Sequence, residues 1–92
     1  MNKLEENRAV ISEVDHELTQ LFQKRFAAVR EIAEYKLEQK LPVLDRSREE
    51  ALIASRLKEL PEELQPYFRT WYEGLMAVSR QFQTDLINAK QN

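Results

Sequence analysis

The sequence predicts an all-α protein with three helices, of which the N-terminal one is very long. Its 92 residues include one Gly and three Pro, and Leu, Ala, Glu, Lys, Arg and Gln are abundant. Small or unbranched side chains lose little rotamer freedom in a helix, whereas strands would need more turn residues. A chain of this length supports one hydrophobic core, so we expect a single domain over residues 1–92.

Two proline-containing segments, LPVLD and PEELQP, divide the chain into the three predicted helices. The first is predicted from Leu4 to Lys40, a stretch without Gly or Pro. The second is predicted from Asp45 to Leu60, with the Asp45 carboxylate as its N-cap. The third is predicted from Pro66 to Ala89, because proline lacks the N–H that an interior helix position donates.

The predicted first helix is too long for a compact monomer of this size. About 37 residues extend roughly 55 Å as a helix, whereas a compact domain of this length has a radius of gyration of about 12 Å. We therefore expect an intertwined homodimer, in which the long helices of two chains pack across a two-fold axis and cover each other's apolar stripe.

Composition and charge narrow the possible functions and the compartment. Fourteen basic and 16 acidic residues give a net charge of −2, so no general attraction to nucleic acid or to an anionic membrane is expected. The chain has no Cys, which excludes disulfides, thiolate metal sites and thiol nucleophiles. No apolar run reaches membrane-spanning length and MNKLEENRAV lacks a signal-peptide core, so we expect a cytoplasmic protein.

Polar side chains interrupt the apolar stripes of the predicted helices. At about 100° per residue, the stripe of the first helix comprises Leu4, Ile11, Val14, Leu18, Phe22, Val29 and Ile32. Arg25 and Lys36 lie in the middle of this stripe, while Ser79 and Gln83 lie within the stripe of the third helix. Glu49 lies on the apolar side of the second helix. These five positions are therefore candidates for a functional site.

Two interpretations of these polar residues remain open at this point. The five side chains could satisfy one another as a structural network, since buried charges are usually paired. However, Arg25 and Lys36 would stand about 16 Å apart on one helix face, which is enough to bracket a small molecule. With Glu49 as their one acidic neighbour, positive charge is in excess, which indicates a pocket for a small anionic ligand.

Four segments also share a pattern with one known family. They read NRAVISEVD, LFQKR with Lys36 eleven residues after Arg25, PVLDRSRE and SRQFQ. In order and spacing this pattern resembles the all-helical, AroQ-type (type II) chorismate mutases, and it spans nearly the whole chain. Arg80 departs from it, because the resemblance leads us to expect a less polar residue after Ser79, and the pocket rim is therefore expected to differ.

The resemblance implies an isomerase that converts chorismate to prephenate in aromatic amino-acid biosynthesis, with neither a metal nor another cofactor. It implies that three residues act on the reacting atoms or the ring hydroxyl: Lys36, Gln83 and Glu49. It implies that the others bind the substrate: Arg25, Asp45, Arg48 and Ser79, with Arg8 from the second protomer of the homodimer. Lys36 and Gln83 would contact the ether oxygen of chorismate, and Glu49 its ring hydroxyl.

Two other functions compete with this one. An isochorismate-pyruvate lyase would have the same architecture and a closely related dicarboxylate substrate, although the intact PVLDRSRE segment favours the mutase. A non-enzymatic helical dimerisation module would explain the long first helix, but it has no need for polar residues on the apolar stripes.

Two further features receive structural interpretations. His16, the single histidine, lies opposite the apolar stripe of the first helix and is expected to be exposed to solvent. Tyr67, Trp71 and Tyr72 are expected to serve in core and interface packing, because they occur at helical spacing beside apolar residues.

Overall fold

The computed structural model describes residues 2–91, which form three α-helices and one short 3-10 turn. Helix α1 spans Lys3–Gln39, α2 spans Arg46–Leu57, the 3-10 turn spans Glu62–Leu64 and α3 spans Gln65–Gln91. No strand occurs within residues 2–91, so the predicted all-α class is confirmed. None of the helices in this part of the chain has the length and apolar character needed to cross a bilayer.

Helix α1 has well-defined capping at both ends. The Asn2 side chain accepts a hydrogen bond of 2.9 Å from the backbone N–H of Glu5, which satisfies one of the first-turn donors. At the other end Lys40 adopts a left-handed conformation with φ 57°, and the backbone N–H of Leu41 donates to the Lys36 carbonyl at 2.8 Å. The helix therefore begins and ends one residue before the predicted positions.

Helix α2 ends at Leu57, three residues before the predicted end at Leu60. The carbonyls of both residues accept hydrogen bonds from the side-chain amide of Gln65, at 3.0 and 3.1 Å. Arg56 in the last turn donates to the Glu59 carboxylate at 3.1 Å, and this hydrogen bond raises the pKa of Arg56. The Gln65 side chain thus satisfies backbone carbonyls at and just beyond the end of α2, so the helix can end at Leu57.

Helix α3 begins one residue before the predicted Pro66 and continues two residues beyond Ala89. Pro66 is tolerated there because first-turn N–H groups have no partner within the helix. In the preceding turn, the backbone N–H of Leu64 donates to the Pro61 carbonyl at 3.0 Å. The PEELQP segment is therefore a tight connection that leads directly into α3.

The core forms where α3 packs against both other helices. Ile53 of α2 packs against Tyr72 and Met76 of α3, and Leu52, Leu57, Phe68 and Leu75 surround this cluster. Helix α1 buries Val29 and Ala33. It runs parallel to α3, because Phe26 contacts Phe82 at 5.3 Å between ring centroids and Glu34 lies 3.8 Å from Lys90.

The N-terminal part of α1 lies outside this core. All residues from 2 to 24 are exposed in the single chain, including much of the predicted apolar stripe: Leu4, Ile11, Val14, Leu18 and Phe22. The chain is 54 Å long and its radius of gyration is 16.7 Å, compared with about 12 Å for a compact domain of this length. One chain alone therefore leaves an apolar face uncovered, as the length argument predicted.

The predictions for His16 and the three aromatic residues can be compared with this fold. Tyr72 is buried, as predicted for a core residue, and His16 is exposed, as predicted. Tyr67 and Trp71 are 75% and 53% exposed, so they do not belong to the core of the single chain. Their predicted role at an interface stays a prediction.

Replacing Ile53 by Ala is expected to lower the free energy of unfolding by about 2–5 kcal/mol, because it removes buried methyl groups from the α2–α3 contact and leaves a cavity. Urea unfolding at a fixed protein concentration would measure the loss. Ser55→Ala, at an exposed position of the same helix, is the control and should change stability by less than about 0.5 kcal/mol. Equal effects of the two substitutions would contradict the assigned core.

Candidate active site

Seven of the eight residues singled out in the sequence line one cavity of about 270 Å³. The cavity lies between the three helices, and these residues are Arg25, Lys36, Asp45, Arg48, Glu49, Ser79 and Gln83. Apolar side chains form the rest of its wall: Ala28, Val29, Ile32, Leu52 and Met76. Residues from three separate segments of the sequence therefore meet at one place.

Helix α1 contributes Arg25 and Lys36 to the cavity, as the helical spacing predicts. Arg25 Nη1 donates a hydrogen bond to the hydroxyl of Ser79 on α3. Ser79 is 6% exposed, so the hydroxyl is a buried polar group that has a partner. This contact fixes the guanidinium at the junction of α1 and α3.

Lys36 is anchored to the connection between α1 and α2. Its Nζ donates to the backbone carbonyl of Val43 at 2.8 Å. Because an ammonium group has three donors, this bond orients Lys36 and leaves further N–H groups for a bound molecule. The Val43 carbonyl was not predicted, since any residue type supplies such an acceptor and the sequence carries no signal for it.

The N-terminus of α2 places Asp45, Arg48 and Glu49 along the cavity. Asp45 is the N-cap, as predicted, and its Oδ1 accepts from the backbone N–H of Arg48 at 3.1 Å. The Asp45 carbonyl also accepts from the N–H of Glu49 at 3.1 Å. The cap therefore fixes the direction of the first turn, from which Arg48 and Glu49 extend.

Glu49 has a partner that the sequence did not reveal. Nη1 of Arg80 on α3 donates to its Oε1 and forms an ion pair. Both side chains are partly buried, so the pair is less screened by water than a surface salt bridge. The sequence analysis noted Arg80 as a departure from the family pattern, and the fold shows that its charge is directed at a predicted site residue.

Gln83 has a buried side-chain oxygen that lacks a hydrogen-bond partner in the part of the chain that the structure describes. The residue is 7% exposed, and its Oε1 is buried with no hydrogen-bond partner within residues 2–91. A buried polar atom without a partner is costly. Gln83 lines the cavity, so Oε1 could accept from a donor on a bound molecule, whereas Nε2 of the same amide could donate to an acceptor there.

The charges around the cavity favour an anionic ligand. Three cationic side chains line it, Arg25, Lys36 and Arg48, against the two carboxylates of Asp45 and Glu49. One of these carboxylates is already paired with Arg80. No group of three or more potential metal ligands occurs among the residues that the structure describes. What remains is an excess of cationic donors in a partly apolar cavity.

Comparison with known proteins identifies the family. The model of the family described as chorismate mutase type II matches residues 7–84. The chain belongs to this family. Chorismate mutases are isomerases that convert chorismate to prephenate in aromatic amino-acid biosynthesis, and this is the activity of the chain. A search of curated proteins found no match, and a search of solved structures found none either.

The chorismate mutase match includes all eight predicted site residues, but one of them lies apart from the cavity. Arg8 is on the exposed part of α1, seventeen residues before Arg25 and therefore about 25 Å away along the helix axis. It is not among the residues that line the cavity. Its participation in the site stays a prediction that requires a second chain.

The apolar wall of the candidate cavity was predicted in part. Met76 belongs to the apolar stripe that helical spacing predicts for the third helix, which comprises Phe68, Tyr72, Leu75, Met76, Phe82 and Leu86. Val29 and Ile32 belong to the predicted stripe of the first helix, whereas Ala28 and Leu52 were not singled out. Both lie one helical turn from a predicted site residue, Ala28 after Arg25 and Leu52 after Arg48 or Glu49. The helical period around the polar residues was the signal that could have identified them.

Replacing Asp45 by Ala is expected to cost about 1 kcal/mol of stability, because the first turn of α2 loses its side-chain cap. Asp45→Asn retains an acceptor oxygen and should keep most of this stability. Urea unfolding of both variants would measure the difference, with Ser47→Ala in the same turn as the control. If the Asn variant were as unstable as the Ala variant, charge rather than capping would explain the role of Asp45.

Proposed function

We propose that the cavity between the three helices binds chorismate and that Lys36 and Gln83 stabilise the transition state of its rearrangement to prephenate. One observation carries this proposal, namely that cationic and amide side chains from α1, α2 and α3 converge on a single small cavity. Its volume of about 270 Å³ suits a small molecule, and the apolar wall can exclude water from it.

The reaction requires little from the protein beyond confinement and electrostatic stabilisation. A C–O bond breaks as a C–C bond forms within the same molecule, so all atoms of the substrate remain in the product. The site must hold a folded conformer in which the two reacting carbons are close together. It must also stabilise the negative charge that develops on the ether oxygen, which preorganised N–H donors can do.

Lys36 and Gln83 are suited to the ether oxygen because each has unused hydrogen-bonding capacity. Lys36 is oriented by the Val43 carbonyl and retains further donors. Gln83 is buried in the cavity wall, and the Nε2 of its amide carries the N–H groups that would donate to the ether oxygen. With both groups positioned before the substrate arrives, little reorganisation is needed as charge develops.

The remaining residues are assigned to recognition of the substrate. Arg25 has a planar guanidinium that suits a carboxylate, and the hydroxyl of Ser79, which it contacts, would add a second donor. Glu49 would accept a hydrogen bond from the ring hydroxyl, next to the backbone at Asp45. Arg48 would contribute to the positive field of the cavity.

We propose that the working enzyme is a homodimer in which Arg8 of one protomer completes the site of the other. The exposed apolar face of α1 supports a second chain as its cover. A largely apolar groove of about 490 Å³ continues this face between α1 and α3, with Phe22, Trp71 and Leu75 in its wall, and it reaches Arg25. An antiparallel partner helix would bring its Arg8 beside Arg25.

Lys36→Ala and Gln83→Ala are each expected to lower kcat/KM for chorismate by on the order of 10² or more, with a large part of the loss in kcat, as for the removal of a preorganised donor. His16→Ala, at an exposed position, is the control and should have little effect. The purified protein would be assayed with chelator present and with chorismate and isochorismate as separate substrates, following prephenate and pyruvate.

Several outcomes of this assay would contradict the proposal. If Lys36→Ala changed KM alone, Lys36 would be an anchor for the bound substrate rather than a catalytic group. Pyruvate formation from isochorismate without prephenate formation from chorismate would indicate the lyase of the same fold. Absence of both products would favour a helical dimerisation module.

Arg8→Ala and Arg25→Ala are expected to be severely impaired alone and to complement each other when mixed. In a heterodimer of the two variants, one site would contain both arginines and the other neither. After unfolding, equal mixing and refolding, about half of the dimers would be heterodimers with one working site, so activity should return to about a quarter of wild type.

The complementation experiment requires an independent measurement of assembly. Size measurement, with one variant carrying a small tag, would establish that heterodimers have formed. A mixture that contains heterodimers and stays inactive would show that Arg8 does not complete the partner's site. Arg8 would then have a structural role on the exposed part of α1.

A further inference from the structure

An ion pair between α2 and α3 borders the cavity. Arg80 Nη1 donates to Glu49 Oε1, and the two side chains are 34% and 23% exposed. The other close carboxylate–cation pairs among residues 2–91 are more exposed on both sides. The Arg80–Glu49 pair is therefore the best shielded of these pairs, and one partner is a predicted site residue.

Glu49 separates two cavities, whereas Arg80 lines one of them. Glu49 belongs to the wall of the candidate active site and also to that of a neighbouring cavity of about 240 Å³. Arg80 lines the neighbouring cavity and is not among the residues that line the candidate active site. A molecule in the active site would thus contact the Glu49 carboxylate directly. Arg80 would affect that molecule only through its bond to Glu49.

We propose that Arg80 is a positioning residue, which holds the Glu49 carboxylate as an oriented acceptor and so makes the enzyme selective for substrates that carry the ring hydroxyl. The proposal rests on the assignment of Glu49 to that hydroxyl. A carboxylate has two oxygens and about four acceptor positions. Arg80 binds one oxygen from the far side, which leaves the other for a donor in the active site.

The pair also reduces an electrostatic conflict within the site. Chorismate carries two carboxylates, and an unpaired Glu49 in a partly buried cavity would repel them. Arg80 offsets this charge without occupying space in the active site. Glu49 can therefore serve as an acceptor while Arg25 and Lys36 keep the field of the cavity positive.

The surroundings of Arg80 favour Glu49 over the other nearby carboxylates. Glu50 and Glu73 line the same neighbouring cavity. Glu73 Oε2 lies 3.7 Å from Nη1 of Arg69 in the preceding turn of α3, and Glu50 is exposed. Among Glu49, Glu50 and Glu73, the partly buried Glu49 is the hydrogen-bond acceptor of Arg80. The guanidinium is therefore directed towards the active site.

The test compares chorismate with an analogue in which hydrogen replaces the ring hydroxyl. The variants are Arg80→Met, Arg80→Lys, Glu49→Gln and the double variant Glu49→Gln/Arg80→Met. Arg56→Met is the matched control, because Arg56 also donates to a glutamate but lies outside both cavities. Circular dichroism and urea unfolding would establish that each variant is folded before kcat and KM are measured.

Arg80→Met is expected to lower kcat/KM for chorismate by on the order of tenfold, mostly through KM, as for a weakened hydrogen bond to a charged group. With the deoxy analogue the same variant should lose several-fold less kcat/KM than with chorismate, because the repulsion between the unpaired Glu49 and the substrate carboxylates remains but no hydroxyl contact is lost. Arg80→Lys should recover most of the loss, because its ammonium can still donate to Glu49. Arg56→Met should behave as wild type with both substrates.

The double variant tests the proposal even if Arg80→Met alone does not fold, because it leaves no unpaired carboxylate behind. It should resemble Glu49→Gln alone, since Arg80 acts through Glu49. Equal losses with both substrates, independent losses in the double variant, or no loss in Arg80→Met would each overturn the proposal.

Failure of this inference is distinguishable from failure of the proposed active site. If Glu49→Gln left chorismate turnover unchanged while Lys36→Ala abolished it, the active site would stand, but the roles of Glu49 and Arg80 would be wrong. If Lys36→Ala retained full activity, the proposed site itself would be wrong. In that case the Arg80 proposal would fail with it.

Discussion

The structure depends on one constraint, which is that α1 is a continuous helix of 37 residues packed against α3 along part of its length. Because the helix is unbroken, the C-terminal part that carries Arg25 and Lys36 is rigidly connected to the exposed N-terminal part that carries Arg8. The same element thus builds one wall of the cavity and leaves an apolar face exposed. In the proposed homodimer, this helix would link the geometry of the cavity to the packing of the two chains.

Some polar groups around the cavity have hydrogen-bond partners among the described residues, whereas one buried oxygen does not. Ser79 has a partner in Arg25, and Glu49 has one in Arg80. Gln83, by contrast, keeps a buried oxygen without a partner within residues 2–91. Ser79 and Glu49 are thus held by partners, whereas the Gln83 amide, whose Nε2 is assigned to the ether oxygen, is not held through its oxygen by any residue that the structure describes. A buried oxygen without a partner lowers stability in the free protein, and only a ligand group that donates a hydrogen bond could offset this cost.

The sequence predicted more of the site than of the contacts that orient it. Arg25 and Lys36 were identifiable because helical periodicity places both on one apolar face. The cap at Asp45 was identifiable from a local pattern before a helix. The Arg80–Glu49 pair was not, since the two residues are 31 positions apart and their contact depends on how α2 packs against α3. The early end of α2 was missed for the same reason, because the side chain of Gln65 satisfies it from the following segment.

Arg80 illustrates how a departure from a family pattern can be interpreted through its contacts. A cation at the rim of a site for a dianion could have acted as an additional ligand. Its position outside the cavity wall and its bond to Glu49 argue instead for an indirect role. In the proposed site, the surplus positive charge that attracts the substrate would come from Arg25, Lys36 and Arg48, while Arg80 would offset the negative charge of Glu49. The cavity could then bind two carboxylates and still keep an acceptor for a hydroxyl.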